Sequence, residues 1–191
     1  MIHRLLSNGL PLISMKKALK IGSTTMLISR VFLAGDSAGA NIAHRMAIKH
    51  GHEEKLEMLN VKGMILCHPY FSGSETVTGE IEGSGRISDA RLWQMVCPNS
   101  GGVDDPWMNL GKDQNLGRVE CKRVQVIVSE KDILRGRGWH YAQQLRESGW
   151  SGDLEVIDFN GEDHVFHLFK PTCVKAVAML KRIVSFINLE G

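Results

Sequence analysis

The sequence predicts an α/β architecture: a mostly parallel sheet of about four strands with helices on its faces. Two observations carry this. Short apolar runs rich in β-branched residues alternate along the chain with longer stretches of helical spacing. Clusters of glycine, proline, serine and aspartate then punctuate those runs, as strand ends and crossover loops require. In sheets of this kind the loops beyond the carboxyl ends of the strands collect the functional groups.

The chain has 191 residues, 43% hydrophobic and 23% charged, with a net charge of +2, which fits one globular unit with a real core. That charge balance gives no reason to expect nucleic acid or a membrane surface as partner. No apolar run approaches the length of a membrane span. Cys67, Cys97, Cys121 and Cys173 lack Cys-x-x-Cys spacing, which argues against a zinc site, and no other metal or cofactor is expected. Cys67 and Cys173 read as buried free thiols, and a reducing, cytoplasmic setting is the expectation. Nothing in the sequence sets an oligomeric state.

Residues 1–30 read as no clean element. Pro11 and the pair Lys16-Lys17 break the apolar core that a signal peptide needs. Acidic residues are absent before Asp36, which leaves a transit peptide as a second reading of this segment. The first strand is expected at Arg30 to Leu33. It leads into Gly35-Asp36-Ser37-Ala38-Gly39, a Gly-x-Ser-x-Gly pattern followed by helical spacing. A strand–turn–helix context is what that pattern needs to act as a nucleophile elbow. Small residues let the chain turn tightly, Ser37 is raised at the end of its strand, and the Ala38 N–H opens the helix facing an oxyanion. The following helix is expected to bury Ile42, Ala43, Met46 and Ala47.

A second buried strand is expected at Lys62 to Cys67, ended by His68-Pro69 because proline cannot continue the ladder. Ser72 to Gly85 lacks periodicity and reads as a flexible loop. A helix follows over Ser88 to Val96 with Ser88 as N-cap candidate. Asn99 to Asn109 is loop again. Such long insertions form lids or pocket walls, so residues 70–120 are the expected lid or substrate-pocket region, with His68 and Tyr70 at its start. Arg123 to Val128 is the clearest strand. A helix with Trp139, Ala142 and Leu145 on one face follows, and Asp153 to Phe159 alternates like an edge strand. From Thr172, the spacing of Val177, Leu180, Val184 and Ile187 marks a last amphipathic helix.

Three of the loops after these strands carry Ser37, Asp132 and His164. A serine hydroxyl is a weak nucleophile without a positioned base, and an imidazole base needs its tautomer fixed by a carboxylate. Each residue type and its place after a strand fits that requirement. Asp163 and Glu162 are competitors for the acid but are too close along the chain to His164 to pair well. Asp36 is expected to be turned away by the elbow. His167, three residues beyond His164, is expected to pack near an apolar cluster, while His68 is the more credible alternative for a polar pocket role.

The segments Gly-Asp-Ser-Ala-Gly-Ala-Asn-Ile-Ala-His (35–44), His-Pro-Tyr-Phe (68–71), Leu-Trp-Gln-Met-Val-Cys-Pro (92–98), Asp-Asp-Pro (104–106), Glu-Lys-Asp (130–132), Arg-Gly-Trp (137–139) and Gly-Glu-Asp-His-Val-Phe-His-Leu-Phe (161–169) together resemble the plant carboxylesterases. These belong to the hormone-sensitive-lipase-like branch of the α/β-hydrolases, whose chain order is also Ser…Asp…His. The resemblance covers residue 31 to about Asn188. It implies Ser37 as nucleophile, Asp132 as orienting acid and His164 as base, with the Ala38 N–H as oxyanion donor and His68, Tyr70 and Val165 near the pocket. The implied substrate is a small carboxylic ester, cleaved through an acyl-enzyme. The same group contains 2-hydroxyisoflavanone dehydratases and gibberellin receptors, so a lyase and a non-catalytic or vestigial binding protein are the alternatives. The receptors replace the histidine that His164 provides here.

Two departures stand out. Members of the group carry roughly half a domain ahead of the elbow, including a His-Gly-Gly-Gly loop with two further oxyanion donors, and residues 1–30 contain nothing like it. The expectation is therefore a carboxyl-terminal half, residues 31–191, behind an atypical segment that a truncated gene model, altered splicing or a shifted frame would explain. Such a chain is expected to be weakly active or inactive. Leu110 also stands where the group tends to have proline.

Overall fold

The computed structural model describes residues 28–50, 59–80 and 86–189. The expected atypical segment, residues 1–30, lies almost wholly outside them. Strands β1 (Ile28–Asp36), β2 (Leu59–Cys67), β3 (Arg123–Ser129) and β4 (Asp153–Phe159) form one parallel sheet in the order β1-β2-β3-β4. Helix α1 (Ala38–His50) follows β1, and α2 (Arg86–Val96) lies between β2 and β3. Three short 3-10 turns, Gly102–Asp104, Leu110–Lys112 and Leu116–Arg118, lead into β3. Helix α3 (Arg135–Glu147) joins β3 to β4, and α4 (Phe166–Phe169) and α5 (Val174–Asn188) close the chain. None of the described helices is long and apolar enough to cross a membrane.

The period of two along a strand sorts the core into two layers. Met64 and Leu66 of β2, Val124, Val126 and Val128 of β3, and Leu154 and Val156 of β4 face one side. There they meet Ala40, Ala43, Ala47 and Ile48 of α1 and Tyr141 and Leu145 of α3. The residues in between, Ile65, Cys67, Ile127, Ile157 and Phe159, face the other side with Phe166 of α4 and Ala176, Met179 and Phe186 of α5. β2 and β3 are therefore covered on both faces, which is why they read as unbroken apolar runs.

Register lines up the carboxyl ends of the strands. Asp36 stands opposite Cys67, Cys67 opposite Ile127, and Ser129 opposite Phe159. The residues that immediately follow each strand thus emerge along one edge of the sheet.

Several helical faces differ from expectation. α1 buries Ala40, Ala43, His44, Ala47 and Ile48, leaving Ile42 and Met46 over 40% exposed. In α5 the buried stripe is Ala176, Met179 and Phe186, and Val177, Leu180 and Val184 face outward. Both stripes of α5 repeat at three or four residues, so spacing finds the helix without choosing its inner face. Trp139 of α3 lies at the surface and donates its indole N–H to Asp158 (3.1 Å). Ser88 sits inside α2, whose first residue is Arg86, so it is not the N-cap. Cys173 is half-buried and caps α5, its sulfur accepting from the Ala176 N–H (3.3 Å).

The loop after β2 is pinned over residues 72–80. Arg137 of α3 holds both carboxylate oxygens of Glu80 at 2.9 Å and also donates to the Glu75 carbonyl at 2.6 Å. Both side chains of the pair are about 95% buried, at 4% and 5% residual exposure. The Ser72 N–H bonds the Met108 carbonyl (3.0 Å) and the Ser74 N–H bonds Asp104 (2.9 Å), tying this loop to the next. Removing one member of a buried, bidentate pair strands the other charge. Glu80→Ala should therefore cost about 3–5 kcal/mol in urea unfolding, and the joint change Glu80→Leu with Arg137→Met should restore most of it. Equal destabilisation by the single and joint changes would show that the pair is not what pins the loop.

Candidate active site

The turn from β1 into α1 is left-handed at Ser37 (φ 54°). Only a glycine tolerates the crowding at Gly35, where a Cβ would lie 2.1 Å from the Gly39 carbonyl oxygen. A Cβ at Gly39 would meet nothing within 4 Å among the described residues, so the first glycine of the pattern is the one this turn demands. The Ser37 N–H donates to the Cys67 carbonyl (2.9 Å), and the Ser37 carbonyl accepts from the Ala40 N–H (3.0 Å) and the Tyr70 N–H (3.1 Å). These bonds clamp the turn against the end of β2. Ala38 is the first residue of α1, so its N–H has no acceptor within the helix and stays beside the serine.

Asp132 follows β3 in a tight turn: its N–H bonds the Ser129 carbonyl (3.1 Å) and its Oδ1 accepts from the Leu134 N–H (2.9 Å). The loop that carries His164 is fastened to this turn by the Glu130 N–H on the Phe159 carbonyl (3.1 Å) and the Lys131 N–H on the Glu162 carbonyl (3.0 Å). The structure brings the three expected residues together. His164 Nδ1 lies 2.8 Å from Asp132 Oδ2, and His164 Nε2 lies 3.1 Å from Ser37 Oγ. An ionised carboxylate only accepts, so the Nδ1 proton sits on the contact with Asp132 and Nε2 is free to accept from the Ser37 hydroxyl. The Asp132 side chain is 1% exposed and that of His164 is 36% exposed. The carboxylate is thus sealed beneath an imidazole that meets solvent.

The three non-glycine residues with left-handed backbone among those described are Ser37, His68 and Val165. All three border this constellation. Such strain costs about 1–3 kcal/mol per residue and survives where the surroundings over-determine it. Val165 directly follows His164 and is half-buried. Tyr70 is half-buried as well, and it supports the elbow through its backbone: the N–H on Ser37, and the carbonyl that accepts from the Asn41 amide at 3.2 Å.

His68 departs from the pocket role expected of it. It is 0% exposed, its Nε2 lies 2.8 Å from Ser129 Oγ, and its ring meets His164 edge-on at 5.6 Å. It forms the floor under the base. Burial pushes its pKa down to about 4, against the attraction of Asp132, so the ring is neutral near pH 7. Asp36 is turned away from His164, as expected, and its Oδ1 instead approaches His167 Nε2 at 2.8 Å. His167 does pack near the apolar cluster, edge-on to Phe166 (5.8 Å), and it stacks on His68 at 5.6 Å.

Sequence reasoning missed Asn41 and Ser129. Asn41, one helical turn after the nucleophile, donates to the Tyr70 and Trp107 carbonyls (3.2 and 2.8 Å). A buried amide at that offset from an elbow is the only signal it offers. Within the expected lid region lies a cavity of about 290 Å³ lined by Trp93, Cys97, Pro98, Asn99, Ser100, Asp105 and Trp107. Among the described residues no group of histidine, cysteine and carboxylate side chains is arranged to hold a metal ion.

A sequence profile described as the alpha/beta hydrolase fold matches residues 15–168. The chain belongs to that family. Within it, the chain is 45% identical to probable carboxylesterase 1 of Arabidopsis thaliana over 166 residues, covering 85% of this chain and 51% of that protein. It is 41% identical to probable carboxylesterase 2 of the same plant (84% and 52% covered) and 36% identical to 2-hydroxyisoflavanone dehydratase of Glycine max (83% and 51% covered). The chain spans about half the length of these curated relatives. Among solved structures, the hyperthermophilic esterase of the archaeon Pyrobaculum calidifontis superposes with a TM-score of 0.59 at 24% identity, over 82% of this chain and 51% of that one. That likeness supports the fold.

The buried neutral histidine sets an acid limit on stability. Unfolded, His68 takes up a proton below its ordinary value of 6.5, whereas folded it resists protonation to about 4. Its contribution is intact above pH 6.5 and is lost as the pH falls toward 4, by up to about 3 kcal/mol. His44, wholly buried against Tyr141, is likewise depressed well below its ordinary value by burial and adds to the loss in acid. The melting temperature should drop between pH 7 and pH 4.5, and His68→Gln should flatten that drop. An identical slope in the variant would show that His68 is not what acid unfolds.

Proposed function

We propose that the chain carries the catalytic half of a serine carboxylesterase, with Ser37 as nucleophile, His164 as general base and Asp132 as orienting acid. The observation that supports this best is the unbroken contact line from Ser37 Oγ through His164 to Asp132, 3.1 and 2.8 Å, assembled from three different strand ends. In the acylation step, His164 Nε2 takes the Ser37 proton as the oxygen attacks the ester carbonyl. The Ala38 N–H, at the positive end of α1, stabilises the oxyanion. The imidazolium then gives its proton to the departing alcohol, and Asp132 stabilises that charge without being protonated itself. Water, deprotonated by the same nitrogen, releases the acid. His68 remains neutral below the base, so no second positive charge opposes the imidazolium. The substrate is a small carboxylic ester.

A lyase reading, in which His164 removes a proton from carbon, has its support in the 36% identity to the Glycine max dehydratase. Product analysis with a 2-hydroxyisoflavanone separates the two. The esterase reading makes Ser37 reactive, so a fluorophosphonate should label it covalently, and Ser37→Ala should abolish the label. Ser37→Ala and His164→Ala should each lower p-nitrophenyl ester turnover by ~10⁴-fold or more, with little further loss when combined. Retained turnover in His164→Ala with loss in His167→Ala would assign the base to the wrong ring.

Among the described residues the Ala38 N–H is the oxyanion donor beside Ser37, and each further donor is worth roughly 10²–10³ in rate. Joining residues 1–191 to the amino-terminal half of a plant carboxylesterase should therefore raise ester turnover at least ~10²-fold. Turnover within tenfold of the joined protein would mean that residues 1–27 already complete the site.

A further inference from the structure

Beneath the proposed triad lies a second carboxylate–imidazole contact that the reaction does not use. Asp36 immediately precedes the nucleophile, and His167 comes three residues after the base. Their side chains approach to 2.8 Å, with Asp36 Oδ1 buried and the imidazole off the line of a directed hydrogen bond. The attraction across this contact is therefore mainly electrostatic and polar.

What surrounds the pair gives it leverage. The His167 ring lies parallel to that of His68, 11° between planes at 5.6 Å, and His68 in turn meets His164 edge-on at 5.6 Å. His68 is itself held from the opposite side by Ser129 of β3 (2.8 Å). A continuous packed path thus runs from the residue before Ser37, through two imidazoles, to the flank of the base. Each stage comes from a different part of the sheet's edge: Asp36 from β1, His68 from the end of β2, Ser129 from β3, His167 from α4 beyond β4. Phe166 closes the cluster against Phe159 (5.4 Å) and against His68 (5.9 Å). The Ser37–His164 contact, at 3.1 Å, bridges the same two segments that Asp36 and His167 bridge.

We propose that Asp36 and His167 are positioning residues. Their contact holds the nucleophile elbow against the base loop and thereby sets the separation of Ser37 Oγ from His164 Nε2. The pair touches neither substrate nor reacting atoms. It acts by keeping two strand ends in register, where a displacement of an ångström costs orders of magnitude in rate. This inference rests on the Ser37–His164–Asp132 reading, and its test separates the two.

The test uses residues 1–191 with nitrogen-labelled histidine and two readouts. The first is the His164 imidazole in NMR: the Nε2 shift reports the bond to Ser37, and the low-field Nδ1 proton reports the bond to Asp132. The second is the rate of phosphonylation by a fluorophosphonate. In His167→Phe and in Asp36→Asn, the Nε2 shift should move to the value seen in Ser37→Ala while the low-field proton persists. Phosphonylation should slow at least about tenfold. His167→Gln, which keeps a polar donor near Asp36, should return both readouts to within about threefold of the parent. An Nε2 shift unmoved by His167→Phe overturns the proposal. So does loss of the low-field proton in every variant including His167→Gln, since that marks general loosening of the loop. A parent chain that is never phosphonylated, yet whose Nε2 shift responds to His167→Phe and recovers in His167→Gln, refutes the esterase reading and upholds the positioning role.

Discussion

The left-handed backbone at Ser37 is the constraint on which the rest of the site depends. A strand that continued in extended geometry would point the serine into one face of the sheet. Turning it at φ 54° instead starts α1 at once and directs Oγ along the sheet's edge. That conformation is uphill for a residue with a Cβ. It is held by the Cys67 carbonyl, the Tyr70 N–H and the absence of a side chain at Gly35. Each of these belongs to β1 or to the end of β2, so the elbow is a property of the β1–β2 pairing rather than of five residues in isolation.

Around that turn the site is assembled by register. Parallel strands whose carboxyl ends are level deliver one functional segment each, and short backbone bonds between neighbouring loops fix their spacing. The strained backbone at His68 and Val165 belongs to the same device, since it directs the residues on either side of the base into packed positions. A neutral, buried imidazole as the floor of the site combines rigidity with electrical silence.

Most of this was legible in the sequence, and what was not follows a physical pattern. Strands announced themselves by composition: β3 and β4 begin where expected, while β1 and β2 extend a few residues further because main-chain pairing continues past the apolar run. The three residues of the proposed triad were readable from type, order and position after a strand. Helix faces were not. Met46 and Ala47 look equally apolar, but the buried stripe runs through Ala40, Ala43, His44, Ala47 and Ile48, and Met46 lies off it. Asp36–His167 was invisible for a similar reason. Two polar residues 131 positions apart meet only because β1 and the loop after β4 bracket the same histidine floor, and no local pattern encodes that.

The distances along the chain have a consequence for the order in which reactivity arises. Ser37 and His164 are 127 residues apart, and His164 lies in the loop after β4, the last strand among the described residues. The elbow and β2 can pair early during synthesis, yet until the segment after β4 docks Ser37 lacks the imidazole that lies 3.1 Å from its hydroxyl. A partly folded chain therefore lacks the Ser37–His164 contact. Under the proposed esterase reading, reactivity arrives only with the tertiary contact that joins these two distant segments.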